Sequence, residues 1–368
     1  PPAAPKAAPQ PVALTTPTPA GSCNIKPPLT TDWPVPWTPL RWLFLQTKAD
    51  QQKRMDPFFR VLEEGAKSSR LVEGTSVKLW GPGFPRWNGK RSLKGNVEDA
   101  HGANDYFDVI FTCGGDAKYP TEFKNTRVVV GTRKHECRPA EPCAGPLGSG
   151  SNDIVAMVNP FEVGHNPKIN GISHDMILAH IPSPTVKRLF HADPRKRTVD
   201  ITLLGAMSTS LYPLRSRWKA MLDGKFGMNK YKLNFKPHPK HFNANMDHVK
   251  QINDYASKLK NTKILLTDSA SVHYSVQKYT EALVAGCLII GDMPHDRMRE
   301  YRRFSVEVPT RAEPAELAKV VKWWIEHDAE RLAKVEAGQR WALQSVMTDQ
   351  FYEDYTELYY DQHTPDGA

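Results

Sequence analysis

The sequence predicts an α/β chain of two Rossmann-like domains, each built on a parallel sheet. Three observations carry this. From residue 41 onward, short apolar runs bounded by turn residues alternate with helix-length amphipathic stretches, the pattern of parallel strands joined by crossover helices. The series pauses at a polar, basic hinge, residues 193–197, and then starts again. A length of 368 residues also exceeds what one core usually organises, about 100–200 residues.

Residues 1–40 hold 12 of the 31 prolines and hardly any charge. Such a segment cannot build a core and favours an extended, polyproline-like course, so it reads as a stem or linker. The first domain is placed at 41–190, with buried strands at 42–45, 77–80, 109–112, 128–130 and 154–158. Between the first two lies an amphipathic helix, 56–68, turning Phe58, Phe59, Val61 and Leu62 inward. Gly81-Pro82-Gly83 breaks the second strand.

The second domain is placed at 191–345. It opens with a strand at 199–204 that runs into a small-residue loop containing Gly205, Ser208 and Thr209. A helix at 213–222 follows, with Pro213 at its start, where a missing N–H costs nothing. Strands at 231–235, 264–267, 287–290 and 305–308 and helices at 275–285, 313–326 and 329–343 complete the unit. The tail, 346–368, is expected to contain a helix that packs back on the first domain. Two such domains place a ligand in the cleft between them, at the carboxyl ends of the strands.

Composition narrows the chemistry. The hydrophobic share is 40% and the charged share 24%, with nine Trp and fourteen Phe, ample for globular cores. No apolar run reaches the roughly 18–20 residues that cross a bilayer. The chain starts at Pro1, so a removed N-terminal signal or membrane anchor is expected. The net charge of +9 comes from scattered basic clusters without a nucleic-acid module, which favours a local polyanion site over a nucleic-acid face. Cys23, Cys113, Cys137, Cys143 and Cys287 make neither a disulfide scaffold nor a metal spacing. Cys137 and Cys143 could close a small loop in an oxidising compartment, and Cys287, in an apolar run, is expected to be an inert buried thiol.

The most informative stretch is 263–297. A strand ends at Thr267-Asp268-Ser269, a loop carrying Tyr274 follows, and the next helix bears Lys278 and Glu281. At i and i+3 these share one face. An ammonium there can meet a diphosphate and a carboxylate the two ribose hydroxyls of a nucleotide, with the helix N-terminus adding partial positive charge. In the loop after the first strand of this half, small residues let backbone N–H groups approach phosphate oxygens, and Arg215 or Arg217 can neutralise a leaving diphosphate. Lys236-Pro237-His238-Pro239 follows another strand as a turn.

The segment Lys278, Glu281, Ala282, Leu283, Gly286 and Ile290, followed by Gly291-Asp292-Met293-Pro294, resembles the donor-binding unit of glycosyltransferases with the twin-Rossmann GT-B fold. It is most similar to the spore-coat-type and group-1-like branch, and also to Golgi enzymes with exostosin-like C-terminal halves. A Tyr212-Pro213-Leu214-Arg215 helix start matches the same families, and the likeness spans 182–308. These enzymes carry a basic or His-Pro loop where Lys236-Pro237-His238-Pro239 stands, so the resemblance implies that Lys236 and His238 join the donor site. The resemblance implies a nucleoside-diphosphate sugar donor (UDP or GDP), no resident cofactor, and a hydroxyl acceptor on a glycan, a protein or another molecule. Together with the stem it implies the lumenal part of a type II Golgi protein, with a cytoplasmic enzyme as the alternative. The retaining pattern of two glutamates eight residues apart is not matched, because position 289 is Ile. Other readings are a non-catalytic carbohydrate- or nucleotide-binding protein on the same scaffold, a nucleotide-sugar epimerase and a phosphorylase.

On this fold the catalytic base belongs to the first domain. Candidates follow strand ends: Asp116, His135, Glu136, Glu162 and His165, side chains able to take a proton near neutral pH. His135 is the first choice and His165 the second; His174 and Asp175 could also serve. There is no Asp-x-Asp motif, so a metal-independent reaction is expected, with Arg, Lys and helix dipoles replacing the cation.

Overall fold

The computed structural model describes residues 40–45, 47–48, 76–103, 106–113, 127–131, 154–158, 177–179, 185–237, 248–271, 273, 275–295 and 297–347. The Pro-rich segment 1–39, the helix predicted at 56–68 and the tail beyond 347 lie outside them. Among the described residues no helix is long and apolar enough to cross a membrane.

The first half carries β1 (Arg41–Leu45), β2 (Ser76–Trp80), α1 (Leu93–His101), β3 (Val109–Cys113), β4 (Arg127–Gly131), β5 (Ile154–Val158) and β6 (Ile177–Ala179). All six strands are parallel, in the order β2-β1-β3-β4-β5-β6. Every predicted strand of this half is present. Leu43, Trp80, Val97, Phe107 and Ile110 form a core cluster here. The Arg41 guanidinium grips both oxygens of Asp108, at 3.0 and 2.9 Å, tying the start of β1 to the turn before β3.

Two elements here have no sequence counterpart. Strand β6 is only three residues long. Helix α1 buries just Asn96 and Val97, so it has no apolar stripe to read. Its ends are nonetheless well marked: Ser92 Oγ accepts from Gly95 N at 3.0 Å, and Gly102 closes the helix at φ 79°. An N-cap hydroxyl and a left-handed glycine are the standard terminators.

The second half carries α2 (Lys187–Phe190), β7 (Val199–Gly205), α3 (Pro213–Leu222), β8 (Leu233–Pro237), α4 (His248–Lys260), β9 (Thr262–Leu266), α5 (Lys278–Ala285), β10 (Leu288–Gly291), α6 (Met298–Phe304), β11 (Val306–Glu307), α7 (Pro314–Glu326) and α8 (Asp328–Ser345). The five strands are parallel in the order β11-β10-β9-β7-β8. Side chains alternate between two cores. Leu204, Leu265 and Ile289 enter one, with residues of α4, α5, α6 and α8. Ile201, Leu203, Ile264, Leu266, Leu288 and Ile290 enter the other, with residues of α3 and α7. A sheet buried on both faces explains why its strands read as continuous apolar runs.

The differences from expectation are local. Strand β8 starts two residues after the predicted 231–235, and β9 starts two before the predicted 264–267. Helix α5 begins at Lys278 instead of residue 275. Ser275 is drawn off instead, its Oγ bonded to Tyr301 Oη at 2.7 Å. Helices α2, α4 and α6 have no counterpart in the sequence analysis, although Ile252, Tyr255, Ala256 and Leu259 of α4 do follow i, i+3, i+4, i+7 spacing. After α8 the chain returns to the beginning of this half, where Thr185 pairs with Met347 and donates from N to Val346 O at 3.1 Å.

Candidate functional site

Strand β7 is flanked by β8 on one side and β9 on the other. After β8 the chain crosses to the opposite side of β7, the point in an open α/β sheet where ligands bind beyond the carboxyl strand ends. Gly205 ends β7 here with φ 112°, a left-handed conformation that side chains disfavour. A Cβ at this position would lie 3.0 Å from Arg215 Nη1 and 3.2 Å from Lys278 Nζ. The loop after β7, the start of α3 and the start of α5 therefore meet at one corner. Two cations lie against a glycine backbone there.

Arg215 is the framework of this corner. Its Nε forms a 3.0 Å ion pair with Asp268 Oδ1, and both side chains are almost closed to solvent. The contact is electrostatic and poorly directed for a hydrogen bond. Arg215 N donates to Asp268 Oδ2 at 3.2 Å, Nη1 donates to Ala206 O at 3.2 Å, and the guanidinium lies 3.6 Å from the Tyr212 ring centroid. Burial lifts the Asp268 carboxyl to about 6, ahead of the opposing effect of Arg215, and nearby Asp292 adds to the rise. Arg215, like Arg217, is a candidate partner for a diphosphate. In the structure its guanidinium is engaged by Asp268 and the loop carbonyl, so it shapes the corner and lends it charge.

The carboxyl end of β10 supplies Asp292. Its Oδ1 accepts from Ser269 N and its Oδ2 from Ser269 Oγ, each at 2.7 Å. Tyr279 Oη donates to Asp292 O. His273, at φ 54°, sits 3.5 Å from Asp292 Oδ2 and 3.3 Å from Ser269 Oγ, with its ring 4.8 Å from that of His295. Asp292 raises the His273 pKa against the effect of burial. Gly291 is required just before this acid, since a Cβ there would meet Thr267 O at 2.7 Å.

Glu281 lies in the first turn of α5, buried, with Oε2 accepting from Tyr255 Oη at 2.5 Å. Burial of the Tyr255 hydroxyl, with the neighbouring carboxylate second, pushes its pKa well up. Helix α5 is closed by Gly286 at φ 76°.

No protein-family model and no curated protein sequence matches this chain. Solved structures do. A glycosyltransferase involved in avilamycin A biosynthesis superposes with a TM-score of 0.53 at 13% identity, over 88% of this chain and 97% of that one. Sucrose-phosphate synthase from Thermosynechococcus elongatus gives 0.54 at 12%, over 88% and 100%. Anabaena HepE, solved in complex with UDP and glucose, gives 0.52 at 11%, over 88% and 100%. The fold is GT-B.

Within this GT-B chain, Gly205, Arg215, Lys278, Ser269 and Glu281 all lie at the strand–helix junctions around β7 and β9. Ser208 and Thr209 are exposed on the loop that follows Gly205, where Ser208 O accepts from Tyr212 N at 2.7 Å and precedes α3. Arg217 is not brought to the corner. It lies two residues on from Arg215 along α3, and its Nη1 reaches Ala312 O at 3.3 Å and Glu313 Oε1 at 3.1 Å, at the head of α7. Lys236 falls within β8. Asp116, His135, His165, His238 and Tyr274 lie outside the described residues, as do Glu136, Glu162, His174, Asp175, Cys23, Cys137 and Cys143.

Three site residues carry no assigned role in the sequence analysis: Asp268, His273 and Asp292. Two of them are acids directly after strands, the same signal that nominated Asp116 in the first half. Cys287 is buried as expected, donates to Leu259 O at 3.1 Å, and has its thiol pushed up to about 12 by burial. Among the described residues no three His, Cys, Asp or Glu side chains are grouped to hold a metal ion.

Proposed function

We propose that this protein is a glycosyltransferase that takes its sugar from a nucleoside diphosphate bound at the corner formed by Gly205, Lys278 and Glu281. The observation that carries the reading is the approach of Lys278 Nζ to the side-chain-free Gly205 beside Arg215. A glycine backbone admits phosphate oxygens closely, and the ammonium with the start of α5 supplies positive charge where a diphosphate leaves. Glu281, a single helical turn from Lys278, takes the ribose hydroxyls, and the donor is a UDP or GDP sugar. A GT-B neighbour solved with UDP and glucose supports that choice.

In this reading the acceptor is a hydroxyl of a glycan, a protein or another molecule, activated by His135, with His165 and Asp116 as the other candidates. Protein cations stabilise the leaving diphosphate without a metal. The Pro-rich stem suits the lumenal portion of a type II Golgi protein.

Calorimetric titration and thermal shift with UDP, GDP, CMP and their sugars test the reading. One nucleoside diphosphate family is expected to bind and raise Tm. Indifference to all of them, or a response to oligonucleotides that falls steeply with salt, overturns it.

A further inference from the structure

The basic stretch between the two sheets ends in Arg197, and its contacts lie at the opposite end of α5 from the proposed donor groups. Arg197 Nη2 donates to Ala285 O, and reaches Gly286 O at 3.3 Å and Ala192 O at 3.4 Å. Gln339 of α8 closes the same point, its Nε2 donating to Val284 O and Ala192 O at 2.9 Å each. A Cβ at Gly286 would lie 2.7 Å from Arg197 Nη2 and 3.0 Å from Gln339 Nε2. These are the carbonyls that a helix end leaves without intrahelical donors. They also carry the negative end of its dipole, so a guanidinium here serves both hydrogen bonding and charge.

We propose that Arg197 is a positioning residue that sets where α5 lies along β7, and thereby where Lys278 and Glu281 stand. The identity of what those two side chains hold rests on the function proposed above; the positioning itself does not. Arg197 precedes β7 by two residues, so strand and helix are joined at both ends. Gly205 meets Lys278 at one end, and Arg197 meets Ala285 and Gly286 at the other. A seven-residue strand spans about 20 Å, whereas an eight-residue helix spans about 10 Å. Two long cationic side chains make up the difference.

Helix α5 has no slack to absorb a shift at one end. Residues from Tyr279 to Ala285 are all buried, and Tyr279 Oη is fixed to Asp292 O. Of the guanidinium nitrogens, Nη2 makes the bonds, while Nε and Nη1 are buried and have no hydrogen-bond partner among the described residues. A lysine, which offers one donor point, retains the essential contact, and a methionine of similar length does not.

Amide exchange along α5, with calorimetric titration of UDP and GDP, tests the proposal in the whole chain. Arg197→Met is expected to speed exchange about tenfold both at residues 284–286 and at residues 279–281, and to weaken nucleoside diphosphate binding by about tenfold, the scale of one lost charged hydrogen bond. Arg197→Lys is expected to restore most of both. Faster exchange confined to residues 284–286, or unchanged affinity in Arg197→Met while the parent protein binds, overturns the proposal. A parent protein that binds neither nucleotide overturns the function above, and the exchange at residues 279–281 still decides the positioning. If Arg197→Met does not fold, Gln339→Leu carries the same exchange test from the α8 side, with exchange unchanged at residues 279–281 as the overturning result.

Discussion

Arg215 and Asp268 face each other at 3.0 Å with almost no solvent on either side. Removing one partner of a buried pair leaves an uncompensated charge and typically costs about 3–5 kcal/mol. Asp268, already lifted to about 6, escapes part of that cost by taking a proton. Arg215→Met is therefore expected to lose several kcal/mol at pH 7.5 and distinctly less at pH 5, read from urea midpoints at the two values.

The same carboxyl gives the parent protein an unusual pH slope. Its folded pKa of about 6 lies above the ordinary 3.8, so the folded state binds more protons between these values. Its stabilising contribution is full below about pH 4 and is lost as pH rises through 6, on the order of 3 kcal/mol over the window. His273, raised above 6.5, acts in the same direction at higher pH. Denaturation curves of the parent and Asp268→Asn between pH 4 and 7 check the Asp268 effect: the difference between them should carry this slope.

Gly205 is required twice, by its φ of 112° and by its neighbours Arg215 and Lys278. Gly205→Ala is expected to cost about 1–3 kcal/mol through backbone strain. It should also weaken nucleoside diphosphate binding, because the methyl group occupies the approach to Lys278. Chemical denaturation and calorimetric titration of the same preparation measure both effects.

Glu281 is buried against Tyr255, so its charge and its hydrogen bond must be separated. Glu281→Gln retains an acceptor for the tyrosine and is expected to fold within about 1 kcal/mol of the parent while binding nucleotide at least about tenfold more weakly. Tyr255→Phe should reverse the balance, with stability lower by about 1–2 kcal/mol and a smaller change in affinity. Titration calorimetry and thermal melts on the pair distinguish the two roles.

Cys287 has its thiol pushed up to about 12 and is buried. Reaction requires the thiolate and access to it. Mass spectrometry after alkylation at pH 8 should show the peptide containing Cys287 unmodified in the folded protein and modified only in denaturant.

The parts of this molecule that were legible in the sequence share one property: a signal contained within a short stretch. Most strands of the two sheets are short, largely apolar runs, and the bounds of helix α3 are legible because Pro213 marks its start. Gly286 likewise announced the end of α5. Helix α1 escaped notice because only Asn96 and Val97 are buried, and α5 begins later than periodicity suggests because Ser275 bonds to Tyr301, a partner 26 residues away. The site divides in the same manner. Lys278 and Glu281 are readable at i, i+3, whereas the pairing of Arg215 with Asp268 spans 53 residues and becomes visible only when β7 and β9 lie side by side. Arg217 shows the converse. Its sequence neighbourhood is that of Arg215, but the helical turn sends it to Glu313.

The pairing of Thr185 with Met347 places the entrance and exit of the second half beside each other. A stretch whose two ends coincide can be joined end to end by a short linker and reopened at an exposed turn, such as the one around Gly224, without crossing its own sheet. The half that carries Lys278 and Glu281 thus begins and ends at one bridge, a layout suited to circular permutation.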